Sequence, residues 1–577
     1  MKCCHFKYLL FSLIILSITL ISCGKKTGEE DKVNMEEVQK MEQEFKEFAE
    51  NLEAEVARSY TDMGLTYWVA ANSGKAEDFD KATEAEIKLD KIFSNKVTFE
   101  KLKAYRESGL ILDDILKRNL ELMYLSYLGK QIDPNKLAEM TKLQTEIAKK
   151  FQNYRANVDG KDLTDNDVEK TLKTSKDSKV LEKVWKAHKS IGPIVADDII
   201  KLVKMRNEAA KELGFSNYHE MSLKLNEQDP ADISNIFDEL DELTGDSFKA
   251  LKNEMDEVIA KQCGITRDEL MPWHYQNRYF QEAPQIYDID LDTYYKGKDI
   301  VQLTKDYYTS IGLPIDKMVE KSDLFERKGK NQHAFCIDID RDKKDVRVLC
   351  NVKDNSGWMN TMLHEYGHAV YFKWHDKDLP WFLKSPAQIF TTEAIAMLFG
   401  RFASNAQWMQ DMLKISDEEK EKISETANKI LTLEQLVFSR WSQVMYRFEK
   451  SLYENPDQDL NKLWWTLVEK YQMVKVPEGR NEPDWASKTH IATSPCYYHN
   501  YHLGELLASQ LYYYMCSDLL NVPEDKVCTF YNQPKAGEYL IDKVFAPGAK
   551  YEWNDMIEKA TGEKLTAKYY AKQFVKK

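Results

Sequence analysis

The chain has 577 residues, 43% of them hydrophobic and 12% aromatic, with only 22 Gly and 15 Pro. That composition is globular, carries material for a large core, and excludes a disordered chain. A formal net charge of −14 argues against nucleic acid as a partner and is compatible with cationic peptides without demonstrating them.

The N-terminus reads as a targeting segment. Lys2 and Lys7 precede an apolar run from Tyr8 to Ile21, short for a membrane span. It ends in Leu20-Ile21-Ser22-Cys23 and is followed by Gly24-Lys25-Lys26. This resembles a bacterial lipobox, in which Cys23 carries lipid and becomes the mature N-terminus. The expectation is a signal peptide over 1–22, a lipidated flexible tether over 23–36, and a helical body over 37–577. The protein would then be exported and lipid-anchored to the cell envelope, with a soluble catalytic body. The rival reading is an uncleaved anchor or a plain secretory signal.

Beyond the tether most of the chain predicts helix. Apolar residues recur at three-to-four spacing over 35–58, 80–94, 98–128, 134–157, 177–212, 231–262, 300–311, 415–454, 459–472 and 502–520. Asp133-Pro134 and Ser416-Asp417-Glu418-Glu419 look like capped starts. Length alone suggests about three or four domains, but no long Pro/Gly linker and no short-period repeat divides the body, so one large helical unit is expected. The strand signal is local: His333–Ile339 and Val346–Val352 alternate just ahead of the most informative motif. A sheet edge there can hold an extended peptide by main-chain hydrogen bonds.

That motif is His364-Glu365-Tyr366-Gly367-His368. Two histidines four apart share one face of a helix and can reach a single metal ion, with Glu365 beside it to take a proton from the attacking water. This is the HExxH signature of zinc peptidases; two solvated histidines on an ordinary helix are the bland alternative. A catalytic zinc needs a third protein ligand. One option is a His ten residues after the first with Gly at the seventh, but those positions hold Trp374 and Tyr371. The other is a Glu on a following helix. Glu393 supplies it, 25 residues after His368 and the sole acid in Thr391-Thr392-Glu393-Ala394-Ile395-Ala396-Met397-Leu398. A buried ion pair is the alternative for a carboxylate in such a setting.

Beyond Cys3, Cys4 and Cys23, six cysteines remain: Cys263, Cys336, Cys350, Cys496, Cys516 and Cys528. Export permits disulfides. Cys336 and Cys350 flank the polar turn Asp340–Asp345, where a hairpin could pair them. Cys516 and Cys528 bracket a helix end and the Asn521-Val522-Pro523 turn. Each pair reads equally as two buried thiols.

On these residues the sequence resembles the angiotensin-converting enzyme family of zinc metallopeptidases, over the motif and most of the chain from about residue 265 to 577. Besides the motif and Glu393-Ala394-Ile395, the likeness is carried by His333-Ala334, Leu463-Trp464-Trp465 with Lys470-Tyr471-Gln472, Lys488-Thr489-His490-Ile491, and the pair Tyr498 and Tyr501. The Cys516/Cys528 spacing also agrees with a family disulfide. The N-terminal 260 residues match only weakly.

The resemblance implies a mainly α, zincin-like helical ellipsoid with a deep internal channel and a small β-sheet beside the HExxH helix. It implies one Zn2+ held by His364, His368 and Glu393. Glu365 would be general base, and His490 and Tyr501 would donate to the oxyanion. His333 and Ala334 would hold the peptide, and Lys488, Tyr498 and Gln276 would bind its C-terminal carboxylate. His499 and His502, in the same cluster, read as structural. The sequence departs from the family pattern in three places. Asn500 stands where chloride-dependent members carry Arg, which puts chloride activation in doubt. Met397 stands where the family has an Asp supporting the zinc site. Lys186 follows Trp185 where an acidic subsite residue is expected. The function expected is hydrolysis of short peptides with release of C-terminal dipeptides by a monomer. Its rivals are an internally cutting oligopeptidase without a carboxylate anchor and an inactive peptide-binding envelope lipoprotein.

Overall fold

A computed structural model describes residues 34–524 and 526–575; the leader and Cys23 lie outside the described residues. The described chain is mainly helical, with two two-stranded antiparallel hairpins. Among the described residues no helix is long and apolar enough to cross a membrane.

Most predicted helices are present, and their differences have local causes. The first runs past the expected 58 to Ser73. The expected 98–128 helix is two, Lys96–Ser108 and Asp114–Leu128. Gly109 takes φ 65 after the first, and the Asp113 carboxylate accepts from the N–H groups of Ile115 and Leu116 to start the second. The expected 177–212 helix breaks at Ser190, between Ser178–Lys189 and Ile191–Glu212. The expected capping box at Ser416 is formed: its hydroxyl accepts from Glu419 N–H, and the Glu419 carboxylate accepts from Ser416 N–H. It opens a long helix, Asp417–Glu454. A small hairpin, Ala156–Val158 with Lys161–Leu163, was not expected.

The second hairpin pairs Phe335–Asp340 with Asp345–Leu349, with a register irregularity between Asp338 and Asp340. It lies against the motif helix, Ser356–Lys373. One continuous apolar core reaches from Met140 to Phe574. The N-terminal helices have a smaller core of their own, with Phe45, Val56, Met123 and Tyr127 packed on Trp381 and Phe382. Trp68 and Ala71 join the first helix to Ile339 and Leu349 of the hairpin.

Neither expected disulfide is present: the six described cysteines are free thiols. The register sets Cys336 opposite Val348, so Cys350 is its diagonal neighbour, offset from the directly opposed position a bridge prefers. Cys516 and Cys528 do lie together, without a bond between them.

Candidate metal and peptide site

Three helices build the site. The motif helix is capped by Asn355, whose side chain accepts from Trp358 N–H. The Glu393 helix, Ile389–Gly400, is capped by Gln388. Both are buried on nearly every side. They pack so closely that a Cβ on Gly367 would lie 2.7 Å from Ala396 Cα. On the other flank of the Glu393 helix, a Cβ on Gly504 would lie 3.2 Å from Glu393 Cβ and 3.3 Å from Met397 Sδ. Gly504 belongs to the third helix, His499–Tyr514, which carries Tyr501. Two glycines thus let three backbones approach, and the approach brings Glu393 to the histidines.

His364 Nε2 and His368 Nε2 are 3.3 Å apart, and Glu393 Oε2 lies 3.7 and 3.8 Å from them. Zinc bonds of about 2.0–2.2 Å at tetrahedral angles put ligand atoms roughly 3.3–3.6 Å apart. The donor chemistry fits too. Burial holds both histidines below their ordinary pKa, His364 at about 4, so they are neutral, the form that ligates metal. Burial pushes Glu393 up to about 7, as expected of a carboxylate whose natural counter-charge is a cation. Among the described residues, this trio forms the group of His, Cys, Asp and Glu side chains disposed to hold a metal ion.

The imidazole nitrogen of a ligand that faces away from the metal normally has its own partner. Met397 supplies none. For His368 the partner is Thr392, whose Oγ1 lies 2.8 Å from Nδ1. Glu365 is buried beside the hairpin; burial and the Glu393 charge raise its pKa to about 8, against a hydrogen bond from Cys336 N–H. The strand following His333 and Ala334 packs on the motif helix next to the candidate base. Ala334 packs on the core, while His333 is exposed and its N–H donates to Asn331.

Tyr498, Tyr501 and His490 form one aromatic cluster, with ring centroids 5.4 Å apart for His490–Tyr498 and for Tyr498–Tyr501. Burial and the Lys488 charge lower His490 to about 4. Its Nδ1 is buried without a partner, which favours the neutral tautomer carrying hydrogen on Nε2. Lys488 sits over the rings of Tyr279, Trp441 and Tyr498 at 4.9, 5.3 and 5.3 Å. Burial and the Arg278 charge lower its pKa to about 7. The Tyr498 hydroxyl accepts from Trp441 Nε1 at 2.8 Å.

Lys488 Nζ donates to Gln281, at 2.6 Å, and not to Gln276. Gln276 accepts from Gln285 N–H within its own loop and lines one cavity with Gln281. Gln281 and Thr392 are the two site residues that sequence reasoning missed. Gln281 follows Phe280, whose φ of 52 turns the chain, and the loop has no periodicity from which to read that turn. Lys186 lies away at the surface, paired with Glu182. Asn500 accepts from Gln228, which in turn meets His499 Nε2, so both are tied into a buried neutral network. His502 packs on Tyr570.

Comparison with known proteins agrees with this geometry. The family model described as angiotensin-converting enzyme matches residues 39–574. Angiotensin-converting enzyme of Mesocricetus auratus is 22% identical over 432 residues, 69% of this chain and 32% of the relative. That of Rattus norvegicus is 23% identical over 296 residues, 49% of this chain and 22% of the relative. The inactive angiotensin-converting enzyme-related protein of Caenorhabditis elegans is 20% identical over 519 residues, 79% of this chain and 54% of the relative. The chain thus spans about a third of the length of the hamster relative.

Proposed function

The chain belongs to the angiotensin-converting enzyme family, and from that premise we propose that it is a zinc peptidase releasing dipeptides from the free C-termini of short peptides. The observation that carries this reading is the convergence of His364, His368 and Glu393 with Glu365 alongside. Zinc held by the three ligands would supply Lewis-acid polarisation of the scissile carbonyl and lower the pKa of the attacking water.

The chain's own groups do the rest. Glu365 takes the proton of the attacking water and delivers it to the leaving amine. With a dication bound by the three ligands, the Glu365 carboxylate would stay ionised despite its burial. His490 and Tyr501 donate to the oxyanion that develops on the carbonyl oxygen. The strand edge after Ala334 offers main-chain hydrogen bonds to an extended peptide. Lys488, Gln281 and Tyr498 receive the terminal carboxylate, and an incoming anion favours the protonated form of Lys488. An inactive peptide binder has no use for the base, and the presence of Glu365 favours the enzyme.

Chelation should abolish hydrolysis and zinc should restore it. Activity that survives Glu365→Gln would refute the mechanism. Mass spectrometry on a short peptide and its C-terminal amide tests the anchor: equal cleavage of both at the same bond would assign internal cutting instead.

A further inference from the structure

His490 and Tyr501 stand on two helices joined by a short turn. His490 opens a helix of four residues, His490–Thr493, too short to hold itself. Tyr501 lies in the first turn of His499–Tyr514, whose start has no side-chain cap among the described residues. Neither helix fixes its own end, so the turn between them must be fixed from outside. That turn is also strained. Cys496 has φ 55, a left-handed conformation that a residue other than Gly keeps only where its surroundings impose it.

Two buried side chains from separate helices hold the turn. Arg206, on the Ile191–Glu212 helix, donates from Nη2 to the Ala492 carbonyl at 2.7 Å. Glu449, on the Asp417–Glu454 helix, accepts from Cys496 N–H at 2.9 Å. One hold thus falls two residues after His490, and the other five residues before Tyr501. The holds are tied to each other, because Arg206 Nη1 donates to the hydroxyl of Tyr453, one helical turn beyond Glu449. Glu449 and Arg206 are both buried. Burial pushes Glu449 up to about 8, against the Cys496 N–H and the Arg206 charge. What the turn draws from Glu449 is an acceptor oxygen, which an amide also supplies.

We propose that Glu449 is a positioning residue for peptide hydrolysis. By accepting from Cys496 N–H it keeps the strained turn in place, and with it the aim of His490 and Tyr501 at one developing oxyanion. The assignment rests on the oxyanion-donor reading above and deepens it. Tyr498 has a separate hold in Trp441 Nε1, so the substrate's carboxylate should still find its anchor when the turn loosens. The oxyanion donors act only as charge develops, so the loss should fall on kcat rather than KM.

The test measures kcat and KM on the full zinc-loaded chain, with an N-blocked tripeptide carrying a free C-terminus. Glu449→Leu removes the acceptor and should lower kcat about a hundredfold, as expected for donors set about 1 Å out of place. KM should stay within about threefold. Glu449→Gln keeps the acceptor and should retain most of the activity. On a Tyr501→Phe background, Glu449→Leu should cost only about tenfold, because one of the two groups it positions is already gone. An equal factor in both backgrounds would mark a general structural role and overturn the proposal. So would a Gln variant as poor as Leu, or a Leu variant as active as the wild type. If the Leu variant fails to fold, Glu449→Asp takes its place: it draws the carboxylate back by one methylene and should lower kcat about tenfold at unchanged KM, and wild-type activity there overturns the proposal. Tyr501→Phe with unchanged kcat overturns the oxyanion reading itself, and this assignment with it.

Discussion

Thr392→Val should weaken zinc binding without unfolding the protein. Thr392 is 2% exposed, and Val reproduces its shape while removing the hydroxyl. In the wild type Oγ1 accepts from His368 Nδ1 at 2.8 Å, which fixes the tautomer that turns Nε2 toward Glu393. The substitution leaves a buried ring N–H unpaired, at a cost of about 1–3 kcal/mol. Partners of metal-ligating histidines change affinity by about 10–100-fold. A neutral hydroxyl polarises the ring less than a carboxylate does, so about tenfold is expected here. The assay is competition against a chelator of known affinity, with thermal melting of the metal-free protein as the control for folding. Thr392→Ser keeps the acceptor and should restore most of the affinity. Zinc affinity unchanged in the Val variant, or a Ser variant as weak as Val, would refute the reasoning.

Three further outcomes follow from the geometry. Gly367→Ala sets a Cβ 2.7 Å from Ala396 Cα, so the helices must part; melting should show a loss of about 1–3 kcal/mol, accompanied by weaker zinc binding, and an unperturbed protein would contradict the close approach. Asp338 is buried and its folded pKa is raised to about 7, by burial first and then by Asp340, Asp345 and Asp342 against the Arg341 charge. The unfolded carboxyl releases its proton near pH 4 and the folded one near pH 7, so stability is lost as pH rises through that window, by at most a few kcal/mol. Asp338→Asn should therefore gain on the wild type between pH 4 and 7 in paired melts, and a gap independent of pH would count against it. Finally, Asn500, Gln228 and His499 satisfy one another without a cation; replacing chloride by acetate at fixed ionic strength should leave hydrolysis unchanged, and a marked loss would show an anion bound there.

The parts of the site legible in the sequence were those fixed by chemistry plus local spacing. His364, Glu365 and His368 lie on one helical turn, and Glu393 is conspicuous as an acid among apolar residues. Amphipathic helices such as Asp417–Glu454 were legible because one face is polar. The Glu393 helix is buried on nearly every side and so has no polar face to reveal its period; its motif alone marked it. Breaks at Gly109 and Ser190 were hidden because the apolar pattern on either side stays nearly in phase. The meeting of Lys488 with Gln281 was not legible because the loop that carries Gln281 has no period to fix its path. Thr392 was quoted in the sequence, yet its meeting with His368 depends on how two helices cross. The Cys336 and Cys350 positions looked pairable because the hairpin was legible, while its register was not.

The stacked approach of Gly367 on Ala396 and of Gly504 on Glu393 has a mechanical consequence. Backbones in direct contact leave no side-chain layer to rearrange, so the three helices that hold the candidate ligands and Tyr501 must move together as a rigid block. Whatever opening admits a peptide then has to be carried elsewhere. The N-terminal helices keep a separate small core around Phe45, Met123 and Tyr127, but the first of them also packs on the hairpin, where a Cβ on Gly64 would lie 3.3 Å from Ile339 Cα. A displacement of that first helix would thus reach the strand beside Glu365 before it reached the three ligands.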